Sequence, residues 1–221
     1  MKLLRHYIFI NPKDISNDIN NDKTLNDIKL THKKHYTNGE IVKYYGYNDI
    51  VSLLNNYDKE LCNIFLQLNK NYPAFLADIG RLIILYNYGG VYHDLKCMSN
   101  KKLINYLNNI PEEIEFIGEE HPVEKWRVRN TNIICLHKNS KFITSVLEKI
   151  KIRLINSKHA FGPNSVIQIG SGIYINEFIN NKNPCVYKYP FTVAKMIHSD
   201  PNIYSKNITK WQNTYEPLFK N

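Results

Sequence analysis

Four charged side chains stand close together in the stretch ADIGRLIILYNYGGVYHDLKCM, residues 77–98. Asp78 and Arg81 are three residues apart, so on a helix they share one face. Asp94 and Lys96 follow a double glycine and a short apolar run. In an open α/β sheet, ligands bind beyond the carboxyl ends of the strands, so these two side chains could reach a binding crevice together. The same pattern fits a local Asp78–Arg81 ion pair worth roughly a few tenths of a kcal/mol, and an aspartate that caps the next element.

The elements that must position these residues can be predicted from their neighbours. Pro73 suits the first turn of a helix, and apolar residues then recur at helical spacing. Gly89 and Gly90 supply a C-terminal stop, because glycine adopts the left-handed conformation without a Cβ penalty. Residues 91–95, VYHDL, are then predicted to form a short strand.

The rest of the chain alternates between strand-like and helix-like segments. Strands are predicted at residues 3–10, 40–46, 113–120, 130–137 and 185–191. Helices are predicted at residues 25–36, 49–57, 58–69 and 140–156, with a turn that leads into a helix within 162–179. This alternation indicates an α/β fold with a largely parallel sheet. With no internal repeat or dividing linker, the 221 residues are predicted to form one domain, 1–221.

The chain is basic, with 29 Lys+Arg against 20 Asp+Glu and a formal net charge of +9. A positive field favours anionic partners such as nucleotides, nucleic acid or an acidic membrane. The lysines are scattered rather than gathered in a block, so a general compositional bias also explains the charge. A basic nucleic-acid-binding protein stays an alternative, although the sequence has no recognised nucleic-acid motif and no specific nucleic acid is expected.

Cysteine usage and hydropathy bear on the compartment. Cys62, Cys97, Cys135 and Cys185 lie far apart without a C-x-x-C pair, which predicts reduced, buried thiols rather than a disulfide framework or a zinc site. The first ten residues are too polar for a signal-peptide core, and no run approaches a transmembrane segment. The expectation is a cytoplasmic protein, with peripheral association at a membrane surface left open.

The order Asp-x-x-Arg, apolar helix, Tyr-Gly-Gly-Val-Tyr and x-Asp resembles the sugar-binding region of the DXD-motif glycosyltransferases. This family extends to initiating mannosyltransferases and, more distantly, to the glucosyltransferase domains of large clostridial toxins. Its core reads roughly S/A-D-x-x-R-x-x-x-L-x-x-x-G-G-x-Y-x-D-x-D. The residues that match it in register are Ala77, Asp78, Arg81, Leu85, Gly89, Gly90, Tyr92 and Asp94. The segment FGPNSV is similar to the family's T-G-P element.

The resemblance implies a fold, a reaction and a set of site residues. The fold would be a GT-A-type Rossmann-like sandwich, with a mixed, mostly parallel sheet flanked by helices. A hexose would pass from a UDP- or GDP-sugar to a hydroxyl of a glycan, lipid-linked or protein-linked acceptor, with retention and with no protein base assigned. Asp78 and Arg81 would hold hydroxyls of the donor sugar, and Asp94 would lie near its ribose and sugar. The donor-site residues implied in full are Asp78, Arg81, Gly89, Gly90, Tyr92, Asp94 and Trp211.

Lys96 departs from the family pattern, because it occupies the position of the second acid of the D-x-D motif. That acid helps to hold a divalent metal on the donor diphosphate, and an ammonium group cannot ligate a cation. Three interpretations remain open. Lys96 could neutralise the diphosphate itself and act beside Asp94 in catalysis. Mn²⁺ or Mg²⁺ could bind through Asp94 and a ligand elsewhere. Or the protein could be an inactive relative.

Outside this stretch the candidates are less specific. The resemblance makes Trp211 a possible lid over the donor, and His198 is the nearest histidine to it that could assist a metal. His93 is expected to point to the opposite face of the strand from Asp94, so it is not assigned as a base. Glu119 and Glu120 are either acceptor-side carboxylates or solvated surface acids.

Overall fold

The computed structural model describes residues 4–12, 19–36, 40–120, 128–180, 186–189, 197–199 and 214–220, without the side chains of 118–120, 128–131, 187–189 and 197–199. The strands are β1 (Leu4–Ile8), β2 (Ile41–Tyr45), β3 (Gly90–His93), β4 (Cys97–Ser99), β5 (Phe116–Glu120), β6 (Val128–Cys135), β7 (Val186–Tyr189) and β8 (Ile197–Ser199). The α-helices are α1 (Lys23–His35), α2 (Tyr47–Tyr57), α3 (Lys59–Gln67), α4 (Pro73–Tyr88), α5 (Lys101–Leu107), α6 (Lys141–Ile155), α7 (Gly162–Ile169) and α8 (Ser171–Asn180).

Six strands form the main sheet, in the order β2-β1-β3-β6-β5-β7. The pairs β1–β2, β1–β3 and β5–β7 are parallel, whereas β6 runs antiparallel to both of its neighbours. Parallel neighbours require crossover connections, and the helices between β1, β2 and β3 provide them. The mixed, mostly parallel sheet predicted from the alternating pattern is therefore confirmed. β4 and β8 form a separate antiparallel pair.

Side chains that alternate along the inner strands cover both faces of the sheet. On β1, Tyr7 belongs to the cluster packed by α1, whereas Ile8 belongs to the large core around α4. On β3, Tyr92 faces the α4 core and Val91 faces the cluster packed by α5. Tyr92 and the next-but-one residue, Asp94, are therefore on the side of α4.

Helix α4 is the central buried helix, and its ends lie where the sequence predicted them. Pro73 is its first residue, and Gly89 ends it with a φ of 63°. Gly90 has a φ of 99°, and a Cβ placed there would come within 2.4 Å of the Leu4 carbonyl oxygen. Only glycine meets both requirements without strain, so β3 can begin directly beside β1.

The predicted strand 91–95 is too long, because β3 ends at His93. The Cys97 N–H donates to the Asp94 carbonyl oxygen at 2.7 Å, which closes a turn over residues 94–97. The chain reverses here so that Leu95 can pack into the cluster between the sheet and α1. Asp94 and Lys96 are thus the first and third residues of a turn, not alternate residues of a strand.

The helical prediction for residues 162–179 is also corrected. The segment forms two helices, α7 and α8, which are separated at Gly170. Residues 101–107 form α5, and the pair β4–β8 lies beside the main sheet. None of these last three elements was predicted, because each is too short for its periodicity to be recognised.

The expectation for the thiols is confirmed where the structure describes them. Cys62, Cys97 and Cys135 are free and buried, and Cys185 is outside the described residues. In the described part of the chain, no helix is both long and apolar enough to span a bilayer.

Candidate active site

The side chains of Asp78, Arg81, Tyr92 and Asp94 come together where α4 passes the carboxyl end of β3. An Arg81 Nη atom lies 2.6 Å from Asp78 Oδ1, and the other Nη lies 3.9 Å from Asp94 Oδ1. The Tyr92 hydroxyl donates to the same Asp94 oxygen at 2.8 Å. The Arg81 guanidinium carbon lies 4.7 Å from the centre of the Tyr92 ring. The local Asp78–Arg81 pair expected from the spacing is present, and Asp94 approaches the same guanidinium from the carboxyl end of β3.

Arg81 is a buried cation that is held between two acids. The residue is 5% exposed. Burial by itself would lower its pKa, but the interactions with Tyr92, Asp78 and Asp94 raise the pKa above its ordinary value. A buried charge is tolerated only when it is paired and hydrogen-bonded, and this pairing meets that condition.

The two acids differ in their access to solvent. The Asp94 side chain is 24% exposed, against 11% for Asp78. Asp94 therefore offers the more accessible carboxylate, with Arg81 and Asp78 behind it. Such an arrangement can accept hydrogen bonds from ligand hydroxyl groups while a fixed positive charge lies close by.

Gly170, at the junction of α7 and α8, forms the wall behind Asp78. A Cβ at this position would lie 2.6 Å from Asp78 Oδ2 and 2.9 Å from Phe75 Cδ2. Sequence reasoning missed this contact, because Gly170 and Asp78 are far apart in the chain. A glycine that interrupts a helical pattern was the signal for a close approach.

The turn that carries Asp94 continues into β4, whose backbone is held by buried hydroxyl groups. The Ser99 N–H donates to the Tyr36 oxygen at 3.0 Å, and the Tyr7 O–H donates to the Cys97 carbonyl at 3.0 Å. The two tyrosine oxygens are 2.7 Å apart. Because the Tyr7 hydroxyl already donates its proton to the Cys97 carbonyl oxygen, the Tyr36 hydroxyl must donate to the Tyr7 oxygen. This chain of hydrogen bonds fixes the segment immediately after the turn.

The described residues do not supply a metal site. No group of three His, Cys, Asp or Glu side chains in the described part of the chain could hold a metal ion. Asp94 Oδ1 already accepts the Tyr92 hydroxyl, and Lys96, which is partly buried, takes the place of the second acid. The two carboxylates of the cluster, Asp78 and Asp94, already face the Arg81 cation, so they are a poor donor set for Mn²⁺ or Mg²⁺, which prefer several oxygen ligands.

The other predicted site residues lie apart from this cluster or outside the described residues. Gly89 and Gly90 are at the opposite end of β3, where they set the start of the strand. His93 points to the face opposite Asp94, as expected, and its ring nitrogens lie 2.7 Å from Asn132 Oδ1 and 3.1 Å from Ser99 Oγ.

Trp211 is outside the described residues, as are the side chains of His198, Glu119 and Glu120.

The C-terminal segment 214–220 is tied to the start of α4. The Tyr72 hydroxyl lies 3.0 Å from the Thr214 carbonyl oxygen and 2.8 Å from that of Glu216. The Glu216 carboxylate accepts from the Asn69 and Asn71 side chains at 2.7 and 2.9 Å. These bonds lower the pKa of Glu216, so the charged form holds the segment beside the helix that carries Asp78 and Arg81.

The mixed sheet flanked by helices is a GT-A-type fold, as in a glycosyltransferase of known structure. The family model described as "Glycosyltransferase sugar-binding region containing DXD motif" matches residues 11–117, just under half of the chain. This part contains α4, β3 and the whole Asp78–Asp94 cluster. This part of the chain is therefore similar to the sugar-binding region of the DXD-motif glycosyltransferases, as the motif predicted. Among curated proteins, none matches this sequence.

One solved glycosyltransferase structure supports a similar fold. The chain is similar to the PaToxG glycosyltransferase with a TM-score of 0.53 and 15% identity, covering 80% of this chain and 68% of that one. The ligand-free glycosyltransferase domain of the YGT toxin gives a TM-score of 0.36 at 13% identity, over 59% of this chain and 39% of that one. Its UDP-bound form gives 0.35 at 13% identity, over 69% and 44%. The last two likenesses are too weak to support an argument.

Proposed function

We propose that this protein transfers a hexose from a nucleotide-sugar donor to a hydroxyl group of a glycan or glycoconjugate, with retention of the anomeric configuration. The observation that carries the proposal is the cluster of Asp78, Arg81, Tyr92 and Asp94, inside the segment matched by the family model. Ligands of open α/β sheets bind at this edge of the sheet, where the cluster lies.

Each member of the cluster has a task that its geometry suits. The partly exposed Asp94 carboxylate accepts hydrogen bonds from hydroxyl groups of the donor sugar and ribose. Arg81, which is held against Asp78 at 2.6 Å, is fixed before the donor arrives, so little side-chain entropy is lost on binding. Tyr92 holds Asp94 through its hydroxyl and carries Arg81 on its ring. Gly89 and Gly90 contribute by placing the start of β3.

In this proposal Lys96 neutralises the leaving diphosphate. As the bond from the sugar C1 to the phosphate oxygen breaks, negative charge develops on the nucleoside diphosphate, and a fixed cation stabilises that charge. Lys96 is two residues from Asp94 in the same turn, so the sugar and the diphosphate of one donor would contact the two ends of that turn. Trp211 would close over the bound donor.

Donor binding can be tested by thermal shift with a panel of UDP- and GDP-hexoses. A ligand at about 100 times its Kd stabilises a protein by about 2.7 kcal/mol, which corresponds to roughly 5–10 °C in Tm for a chain of this size. We expect one donor class to give such a shift, and single-stranded DNA or RNA to give none. A shift with nucleic acid but with no nucleotide sugar would contradict the proposal and favour a nucleic-acid-binding protein.

The role of Lys96 can be tested by chelation and substitution. Donor turnover should survive EDTA in the natural protein, and Lys96→Ala should lower it by about 100-fold, in line with the loss of one charge-stabilising group. Lys96→Asp restores the D-x-D pattern and should regain turnover only when Mn²⁺ is added. Loss of turnover on chelation, with Lys96→Ala fully active, would reject this role. Donor binding without turnover in the natural protein would indicate an inactive relative.

A further inference from the structure

His32, a buried histidine on α1, reaches the backbone of the turn between Asp94 and Lys96. Its Nε2 lies 2.8 Å from the Leu95 carbonyl oxygen, and its Nδ1 lies 2.8 Å from the Tyr44 hydroxyl. The residue is 1% exposed, and its ring packs 4.2 Å from that of Tyr7. The contact joins residues 63 positions apart in the chain.

The hydrogen-bond partners determine where the proton of His32 resides. A carbonyl oxygen can only accept, so Nε2 must carry the hydrogen that binds Leu95. Burial lowers the pKa of His32 to about 4, so the ring is neutral at pH 7 and its Nδ1 has a free lone pair. Tyr44 must then donate its hydroxyl proton to Nδ1. The Leu95 carbonyl therefore selects the tautomer, and the Tyr44 hydroxyl, which can donate or accept, holds the ring in place as a donor.

The same arrangement is repeated at the other end of β3. His6 Nε2 lies 2.7 Å from the Gly89 carbonyl oxygen, and its Nδ1 lies 3.0 Å from the Tyr45 hydroxyl. Tyr44 and Tyr45 are adjacent on β2, so their side chains point to opposite faces of the sheet and each serves one histidine. The two histidine–tyrosine pairs differ in what they bind. His32 binds the turn that bears Asp94, whereas His6 binds Gly89 at the opposite end of β3.

We propose that His32, oriented by Tyr44, is a positioning residue that fixes the Asp94–Lys96 turn for donor binding. Leu95 lies between the two charged residues, so the direction of its peptide group sets the directions from which both side chains depart. A turn free to rotate about this peptide would separate Asp94 from the Tyr92 hydroxyl. The inference rests on the proposed function in assigning the turn to the donor, but the contact itself can be tested without a donor.

Two substitutions separate the effects of the two hydrogen bonds that His32 makes, one to Leu95 and one to Tyr44. The side-chain amide of glutamine can place an N–H near the position of Nε2, so His32→Gln can still donate to Leu95. Asparagine is shorter and reaches only the position of Nδ1, so His32→Asn can meet Tyr44 but not the turn. Ile28→Val, an apolar change on the same helix and in the same cluster, is the control for general loosening of α1.

Hydrogen exchange of the Cys97 amide reports on the turn directly, since that N–H closes it. Relative to the Ile28→Val control, we expect His32→Asn to speed this exchange by about tenfold or more, and His32→Gln to stay within about threefold of the natural protein. Equal exchange in His32→Asn and Ile28→Val would overturn the proposal. So would equally fast exchange in the glutamine and asparagine variants.

Tyr44→Phe gives a second measurement that does not depend on replacing the histidine. The ¹⁵N chemical shifts of His32 should show the Nε2–H tautomer in the natural protein and in Tyr44→Phe, because the Leu95 carbonyl oxygen can only accept, whereas the Nδ1 resonance should move when the Tyr44 hydroxyl is removed. A Nδ1–H tautomer in the natural protein would contradict the assignment.

Donor binding completes the test, with UDP-glucose and GDP-mannose as probes. His32→Asn should weaken the binding of the responsive donor by about tenfold, whereas His6→Asn, the same change at the remote end of β3, should leave it within about twofold. Equal weakening by both variants would indicate a structural role only. If neither probe binds the natural protein, the proposed function fails for these donors, while the exchange experiment still decides the role of His32.

Discussion

At the scale of the residue, the site depends on Arg81. This buried guanidinium has one acid at 2.6 Å and another at 3.9 Å. Exposed ion pairs are worth about 0–1 kcal/mol, but removing one partner of a buried pair costs about 3–5 kcal/mol because the remaining charge is left uncompensated. The pair therefore constrains the folded state as well as the site.

This reasoning gives a stability prediction for Arg81→Gln. Loss of the cation breaks the buried ion pair of Asp78 and Arg81, so we expect the free energy of unfolding to fall by about 3–5 kcal/mol. Urea unfolding monitored by circular dichroism measures this change. The double variant Asp78→Asn/Arg81→Gln removes both charges and should be more stable than Arg81→Gln alone. If the effects of the two single substitutions simply add, the two side chains are not coupled as the structure requires.

At the scale of the element, the junction of α7 and α8 supports α4 from behind. Gly170 allows the junction to approach Asp78 and Phe75 closely, so the position of the Asp78 carboxylate depends on a helix end that is distant in sequence. Close packing transmits such displacements, because protein interiors have few voids to absorb them.

Two neighbouring glycines offer a matched test of this support. A Cβ at Gly170 would lie 2.6 Å from Asp78 Oδ2, and a Cβ at Gly172 would lie 2.7 Å from the Ile167 carbonyl oxygen. Both alanine substitutions overpack the junction, so each should lower the free energy of unfolding by about 1–3 kcal/mol. Only Gly170→Ala should also weaken donor binding, as measured by titration calorimetry. Equal donor affinity in the two variants would show that the junction does not position Asp78.

The sequence was sufficient to predict the helices and strands whose start and stop signals lie close by in the chain. Pro73 and Gly89 marked α4 within one residue, and the register of Asp78, Arg81 and Asp94 indicated which side chains would meet. The predicted end of β3 was wrong because the apolar Leu95 continues the strand pattern. In the structure, Leu95 is apolar because it packs into the cluster against α1.

The buried polar contacts could not be predicted, because their partners are far apart in sequence. Arg5, His6, His32 and His93 are all 1% exposed or less, although polar side chains are normally expected at the surface. Each is buried because hydroxyl, amide or carbonyl groups from other elements meet it in the folded chain, as Tyr44 and the Leu95 carbonyl meet His32. No spacing along the chain reveals such a partner.

At the scale of the whole molecule, three histidines that are buried in the described part of the chain make the fold sensitive to mild acid. Burial lowers the pKa of His6 to about 4, of His32 to about 4 and of His93 to about 3, from an ordinary value of 6.5. A proton therefore binds these rings more tightly in the unfolded chain. Their contribution to stability is fully present above pH 6.5 and is lost as the pH falls toward 4.

We expect the free energy of unfolding to decrease by about 3 kcal/mol or more between pH 7.5 and pH 5, since each histidine contributes up to about 1.4 kcal/mol per pH unit. Hydrogen bonds from Asn69 and Asn71 lower the pKa of Glu216 from 4.5, so that carboxylate loses its contribution only below this window. Urea unfolding at pH 7.5, 6 and 5 measures the slope, and His32→Gln should reduce it by about one third. A free energy of unfolding that does not change between pH 7.5 and pH 5 would contradict the conclusion that the three buried histidine rings are neutral in the folded protein.

The most direct test of the account is donor turnover by Asp94→Asn. The asparagine keeps the size of the side chain and an oxygen that can accept a hydrogen bond from the Tyr92 hydroxyl. Arg81 keeps its ion pair with Asp78. The fold should therefore be unchanged by circular dichroism. We expect hydrolysis of the UDP- or GDP-hexose that binds the natural protein to fall by about 100-fold or more, as for the loss of a group that acts at the reacting centre. An Asp94→Asn variant with full turnover would contradict the assignment of the donor site.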